Sequence, residues 1–105
     1  MTDSKKYKVI VSDRAKRMLG IHIRFMAQVN KAAAIAKKKE IINAMRSLSH
    51  MPQRFPFFEE IYIPPNMYHK MFIEKWYLVL YQIKDDTVYV DYILDCRKDY
   101  TWLIR

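Results

Sequence analysis

Residues 92–100, YILDCRKDY, hold a carboxylate (Asp95), the single cysteine (Cys96), two cations (Arg97 and Lys98), a second carboxylate (Asp99) and a phenol (Tyr100). Strand alternation places Tyr92 and Leu94 on one face, with Asp91, Ile93 and Asp95 on the other. Asp95, Arg97, Lys98 and Tyr100 then gather at one sheet edge, and His69 and Lys70, early in another strand, approach the same surface. Cleavage of RNA by its own 2′-OH needs a base, an acid and positive charge on the phosphorane oxygens. Lysine, arginine, tyrosine, histidine and a carboxylate supply all three roles without a metal. The same residues also fit a plainer arrangement, an ion-paired strand end in which Asp95 and Asp99 hold Arg97 and Lys98. The residues themselves leave both open.

Other chemistries find less support. A thiolate nucleophile wants a nearby base and an electropositive setting, and Cys96 has cations beside it but no adjacent histidine. A single cysteine at a strand end is usually a small hydrophobe. His22, His50 and His69 are far apart and neither HExxH nor paired cysteines occur, so no metal site is expected. His22 falls on the apolar side of a helix and reads as a partly buried structural residue. The chain has one glycine and lacks both GxGxxG and the P-loop pattern, so no nucleotide cofactor is expected.

The elements that must position these residues follow from periodicity. At 105 residues, residues 1–105 read as one domain with a modest core. Tyr7 to Val11 is rich in β-branched residues and reads as a first strand. Ser12 or Asp13 can cap a following helix, in which Ala15, Met18, Leu19, His22, Met26 and Val29 recur at helical spacing. Asn30 breaks this helix from a second, running from about Lys31 to Leu48. Ile35, Ile42, Met45 and Ser49 lie close to one face of it, with Ile41 and Leu48 beside them. Met51-Pro52 ends it. Four strands are then expected, at 57–63, 68–73, 76–83 and 88–94, the last two joined by the polar turn Lys84-Asp85-Asp86-Thr87. Helices and strands are segregated, which predicts an α+β fold: a strand, an antiparallel two-helix hairpin, then a mainly antiparallel four-strand segment with a short tail.

Charge is divided along the same line. Residues 1–50 carry 12 Lys/Arg against 3 Asp/Glu, while residues 51–105 carry 7 against 8. A basic helical half suits an anionic partner, either nucleic acid or an acidic protein. Lys37, Lys38 and Lys39 on the second helix, with His69 and Lys98, are the candidate contacts to RNA or to such a partner. The N-terminus lacks the apolar segment of a secretory signal, and the run from Trp76 to Tyr81 is too short to span a bilayer. A cytoplasmic protein without membrane contact is expected.

The stretch KWYLVLYQIKDDTVYVDYILDCRKDYTWLI (residues 75–104) resembles the C-terminal half of RelE/ParE-superfamily toxins. YKVIVSDRAKRML resembles their first strand and helix start, and MPQRFPFF suits their crossing from helix to sheet. The resemblance covers nearly the whole chain. It implies the toxin of a type II toxin–antitoxin pair, silenced by a cognate antitoxin segment that wraps over helices and sheet. RelE-type members cut mRNA in the ribosomal A site without a cofactor, and ParE-type members poison DNA gyrase. On the RelE pattern Lys70 matches a middle-strand base, Arg97 the distal arginine and Tyr100 the terminal phenol, which makes these three the catalytic candidates. Two positions depart from it. Leu78 stands where the RelE-like strand has arginine, and Asp95 stands where nucleases with a histidine would have it. YLVLY (residues 77–81) is closer to the ParE pattern, and Cys96 occupies the position of a family glycine. A small basic RNA-binding domain without toxicity is the alternative.

Overall fold

The computed structural model describes residues 5–97. Strand β1 (Lys8–Val11) leads into helix α1 (Asp13–Ala27), which Ser12 starts. Ser12 is extended, and its hydroxyl accepts from the Ala15 backbone N–H at 3.0 Å, satisfying one of the four donors that a helix start leaves unpaired. Asp13 in the first turn and Arg24 in the last have the signs that the helix dipole favours. A short turn ends at Asn30, whose side chain accepts from the Ala33 N–H at 2.9 Å and starts α2 (Lys31–Arg46). Two 3₁₀ turns, Ser47–Ser49 and Pro52–Arg54, follow. Arg54 closes this corner by donating to the carbonyls of Met51 and His50 and to the Ser47 hydroxyl, all at the carbonyl-rich end of α2.

Strands β2 (His69–Ile73), β3 (Tyr77–Lys84) and β4 (Thr87–Asp95) complete one sheet of order β1-β4-β3-β2. β1 runs parallel to β4, and the other pairs are antiparallel. The β3–β4 hairpin turns on Asp85 and Asp86, with Asp85 at φ 57°, a left-handed conformation that aspartate tolerates better than most residues. One sheet face packs under the helices: Val79, Tyr81, Val88, Val90 and Ile93 meet Ala15, Leu19, Ile41, Met45 and Leu48. The opposite face holds a second cluster of Phe58, Tyr68, Leu78, Leu80 and Leu94. Because both faces are covered, Tyr77 to Tyr81 is buried without interruption, and YLVLY is apolar throughout instead of alternating.

Three sequence expectations change. Residues 57–63 do not form a strand: Phe57 makes a single bridge to His69, and Phe58 N–H donates to the Tyr68 carbonyl at 2.7 Å. Beyond these contacts the chain turns away, through Glu59-Glu60 and then Pro64-Pro65, which lack backbone donors for a ladder. The described sheet therefore has three strands after the helices, and β1 is its fourth. The inward row of α2 is Ala34, Ile41 and Met45, continued by Leu48, whereas Ile35 is exposed. Both rows have heptad-like spacing, and packing against α1 and the sheet selects the first. Finally, β4 carries a bulge: Leu80 pairs with Tyr92 but Tyr81 pairs with Val90, so Asp91 is an extra residue. The bulge shifts the alternation, placing Val90 and Ile93 on the helix side while Asp91 turns to the other face, where its carboxylate accepts from Tyr68 and Gln82.

β1 accompanies β4 only along Thr87–Val90. Past that point α1 lies against the strand's free edge. Ser12 Oγ donates to the Asp91 carbonyl at 3.3 Å, and His22 Nε2 donates to the Ile93 carbonyl at 2.8 Å. His22 is buried because a carbonyl that lost its strand partner needs a donor.

Candidate functional site

The end of β4 is where the sequence concentrates its chemistry. Asp95 pairs with Tyr77, a residue of the helix-side core, and is only 2% exposed. Arg97 turns back onto it: Nε and Nη2 each donate at 3.1 Å to separate carboxylate oxygens, and the Arg97 backbone N–H donates at 2.9 Å. The guanidinium lies 4.9 Å from the centre of the half-exposed Trp76 ring. Burial alone would push the Asp95 carboxyl up, but the Arg97 hydrogen bonds and charge outweigh it and hold the carboxyl below its ordinary value. The pairing in turn raises Arg97, and burial followed by the Asp95 charge raises the Tyr77 phenol. Near neutral pH this gives a carboxylate too acidic to act as a base, a phenol that stays protonated, and a guanidinium whose charge is matched.

The other described candidates do not converge on this pair. Lys70 pairs with Leu80, so its side chain belongs to the face opposite the helices. It lies three residues along and two strands across from Asp95, a backbone separation of about 14 Å. His69 is buried: its Nδ1 is 2.8 Å from the Phe55 carbonyl, and its ring stacks on Tyr81 and lies beside Phe57. Lys37 is engaged by Glu40 at 2.8 Å and by Glu74 at 2.5 Å, tying α2 to the β2–β3 turn. Lys38 and Lys39 are exposed. Cys96 is half-buried against the second core, with its N–H donating to the Trp76 carbonyl at 2.7 Å. Lys98, Asp99 and Tyr100 lie outside the described residues.

A feature that periodicity did not reveal lies between the helices and β1. Two adjoining hollows of about 390 and 330 Å³ share Lys16 and Leu19. Their floor is apolar, made by Val9, Val11, Ile23, Ile42 and Met45, and their rim is Lys16, Arg24, Lys38 and Arg46. No carboxylate lines either hollow. Such a groove suits an acidic, amphipathic segment better than it suits a phosphate backbone, which has no apolar face to bury. The uneven charge of the sequence pointed to this half, but which cations would border an apolar floor depends on how the helices pack.

Fold and site together define a small α+β domain with a helix hairpin over one face of a sheet and a cationic groove beside it. A chain of the solved "Chromosomal ParDE TA system from P. aeruginosa" has this fold, with a TM-score of 0.72 at 12% identity over 88% of this chain and 98% of that one. The family model for the ParE toxin of the type II toxin–antitoxin system parDE matches residues 9–100, and the chain belongs to that family. No curated protein matches it. No described helix is long and apolar enough to cross a membrane.

Proposed function

We propose that this type II toxin arrests growth by binding a protein target, DNA gyrase on the ParE-type resemblance, and not by cutting RNA. The observation that carries the reading is the separation of the described catalytic candidates. Lys70 is on the far face of the sheet from the helices, and Arg97 is bound through two nitrogens to a buried carboxylate. A phosphorane needs uncompensated positive charge within hydrogen-bond reach, and an arginine already matched to Asp95 supplies little. The cognate antitoxin, in this reading, lays an acidic amphipathic segment into the groove rimmed by Lys16, Arg24, Lys38 and Arg46.

The test is supercoiling by purified gyrase in the presence of the purified toxin and without ribosomes, alongside mapping of mRNA ends in cells expressing it. Inhibited supercoiling with intact mRNA is expected. Unimpaired supercoiling together with cuts at defined codon positions would overturn the reading in favour of a ribosome-dependent nuclease.

A further inference from the structure

We infer that the loop spanning Phe58–Tyr68 is the surface with which the toxin grips its target, and that the partner is a protein with an apolar cleft edged by lysine or arginine. The inference rests on the non-hydrolytic reading above. The loop is closed at its neck by Phe58 N–H donating to the Tyr68 carbonyl at 2.7 Å, and Lys70 N–H donates to the Pro56 carbonyl at 2.9 Å just outside it. Phe58 and Tyr68 are buried in the second core, with Ile63 packed against it, so the base of the loop is fixed. Tyr68 also donates to Asp91 at 3.0 Å, which links the loop to the bulge of β4. Compact loops closed at the neck in this way are frequently functional.

The loop presents two exposed apolar side chains that are neighbours in sequence. Ile61 is 84% exposed and Tyr62 68% exposed, side by side at the turn in which Ile63 N–H donates to the Glu60 carbonyl. An isoleucine and a tyrosine held outward bury large apolar area when a partner covers them, and tyrosine is among the residues enriched at binding hot spots. Pro64 and Pro65 follow directly and restrict the backbone, so less conformational entropy is lost on docking. Charge identifies the partner. Residues 55–69 contain Glu59 and Glu60 and no lysine or arginine, within a chain of net charge +8. Two carboxylates beside an apolar tip repel phosphate and attract a basic rim. Two carboxylates at the tip disfavour a nucleic acid as the occupant, whereas a basic, cleft-bearing surface of the kind that nucleic-acid-handling proteins present is matched.

The experiment compares wild type, the double variant Ile61→Ser with Tyr62→Ser, and the double variant Glu59→Lys with Glu60→Lys, each first shown to melt like wild type and to bind antitoxin. Both pairs of changes are expected to abolish growth arrest on induction and to raise the concentration needed to inhibit gyrase by about tenfold or more. Full arrest by the Ile61/Tyr62 variant would overturn the loop as the target surface. Full arrest by the Glu59/Glu60 variant would overturn the basic partner. Positional mRNA cuts by wild type would instead defeat the underlying reading, and cutting by the loop variants at the wild-type level would defeat this one as well. Concentration-dependent oligomers of the toxin alone, lost in the loop variants while arrest persists, would assign the loop to a second copy of the chain and overturn the proposal.

Discussion

At the residue scale, Asp95 and Arg97 form an ion pair in the described part of the YILDCRKDY stretch. A buried carboxylate at the end of a central strand is tolerated because one arginine supplies two side-chain donors and a backbone donor to it. Arg97→Ala leaves that carboxylate short of partners and should cost about 1–2 kcal/mol near neutral pH, a figure kept modest because the guanidinium is half-exposed. The sign with pH follows from the depressed carboxyl. The pair's stabilisation is fully present above the unfolded value of 3.8 and is lost as pH falls through the lower folded value. Urea titrations of wild type and Arg97→Ala should therefore differ near neutrality and converge as the pH falls below 3.8 and through the carboxyl's lower folded value. A gap that stays constant with pH would show that the arginine acts through its stacking on Trp76 instead. Under the proposed function the same variant keeps its ability to arrest growth, measured at a temperature where it remains folded.

At the scale of elements, two short polar residues start the two helices and α1 protects the sheet. Replacing Asn30 by alanine should cost about 1 kcal/mol, because only the α2 cap is lost. Ser12→Ala should cost more than Asn30→Ala in the same thermal-melt comparison, since Ser12 Oγ also serves the Asp91 carbonyl. His22→Ala removes the donor to the Ile93 carbonyl inside the core and should cost about 1–3 kcal/mol. Hydrogen exchange would localise that loss to α1 and the free half of β4, where no β1 residue pairs. Uniform destabilisation across the sheet would contradict this account of His22. The same half-strand explains why α1 is amphipathic around a histidine and not around a purely aliphatic stripe.

For the whole molecule, the decisive feature is the placement of charge on surfaces of different shape. The basic half folds into the helix hairpin and lends Lys16, Arg24, Lys38 and Arg46 to an apolar groove. The loop with Glu59 and Glu60 extends from the opposite side of the sheet. One molecule thus carries a cationic groove and an acidic loop on opposite sides of its sheet. Combining Arg24→Glu with Lys38→Glu should weaken antitoxin binding by roughly tenfold or more and flatten its dependence on salt, as measured by titration calorimetry at two ionic strengths. The wild-type affinity in that comparison should fall as salt rises. Affinity and salt dependence both unchanged would place the antitoxin elsewhere.

Much of this architecture was determined locally and is legible in the chain itself. Ser12 and Asn30 start helices because their side-chain oxygens reach the backbone three residues on, and Lys84-Asp85-Asp86-Thr87 turns because aspartate accepts a left-handed backbone. The order of elements and the basic helical half follow from the same short-range rules. Contacts distant in sequence decided the rest. Residues 57–63 have strand composition, yet both sheet edge and second core were needed to make them a loop with Phe58 and Ile63 inside and Ile61 and Tyr62 outside. The choice between the Ala34–Ile41–Met45 row and the Ile35–Ile42 row of α2 lay in what each would face. The bulge at Asp91 has no signature in alternation, because an extra residue only shows against its partner strand. It moves Asp95 to the helix side of the sheet, where Arg97 turns back onto it as an ion pair.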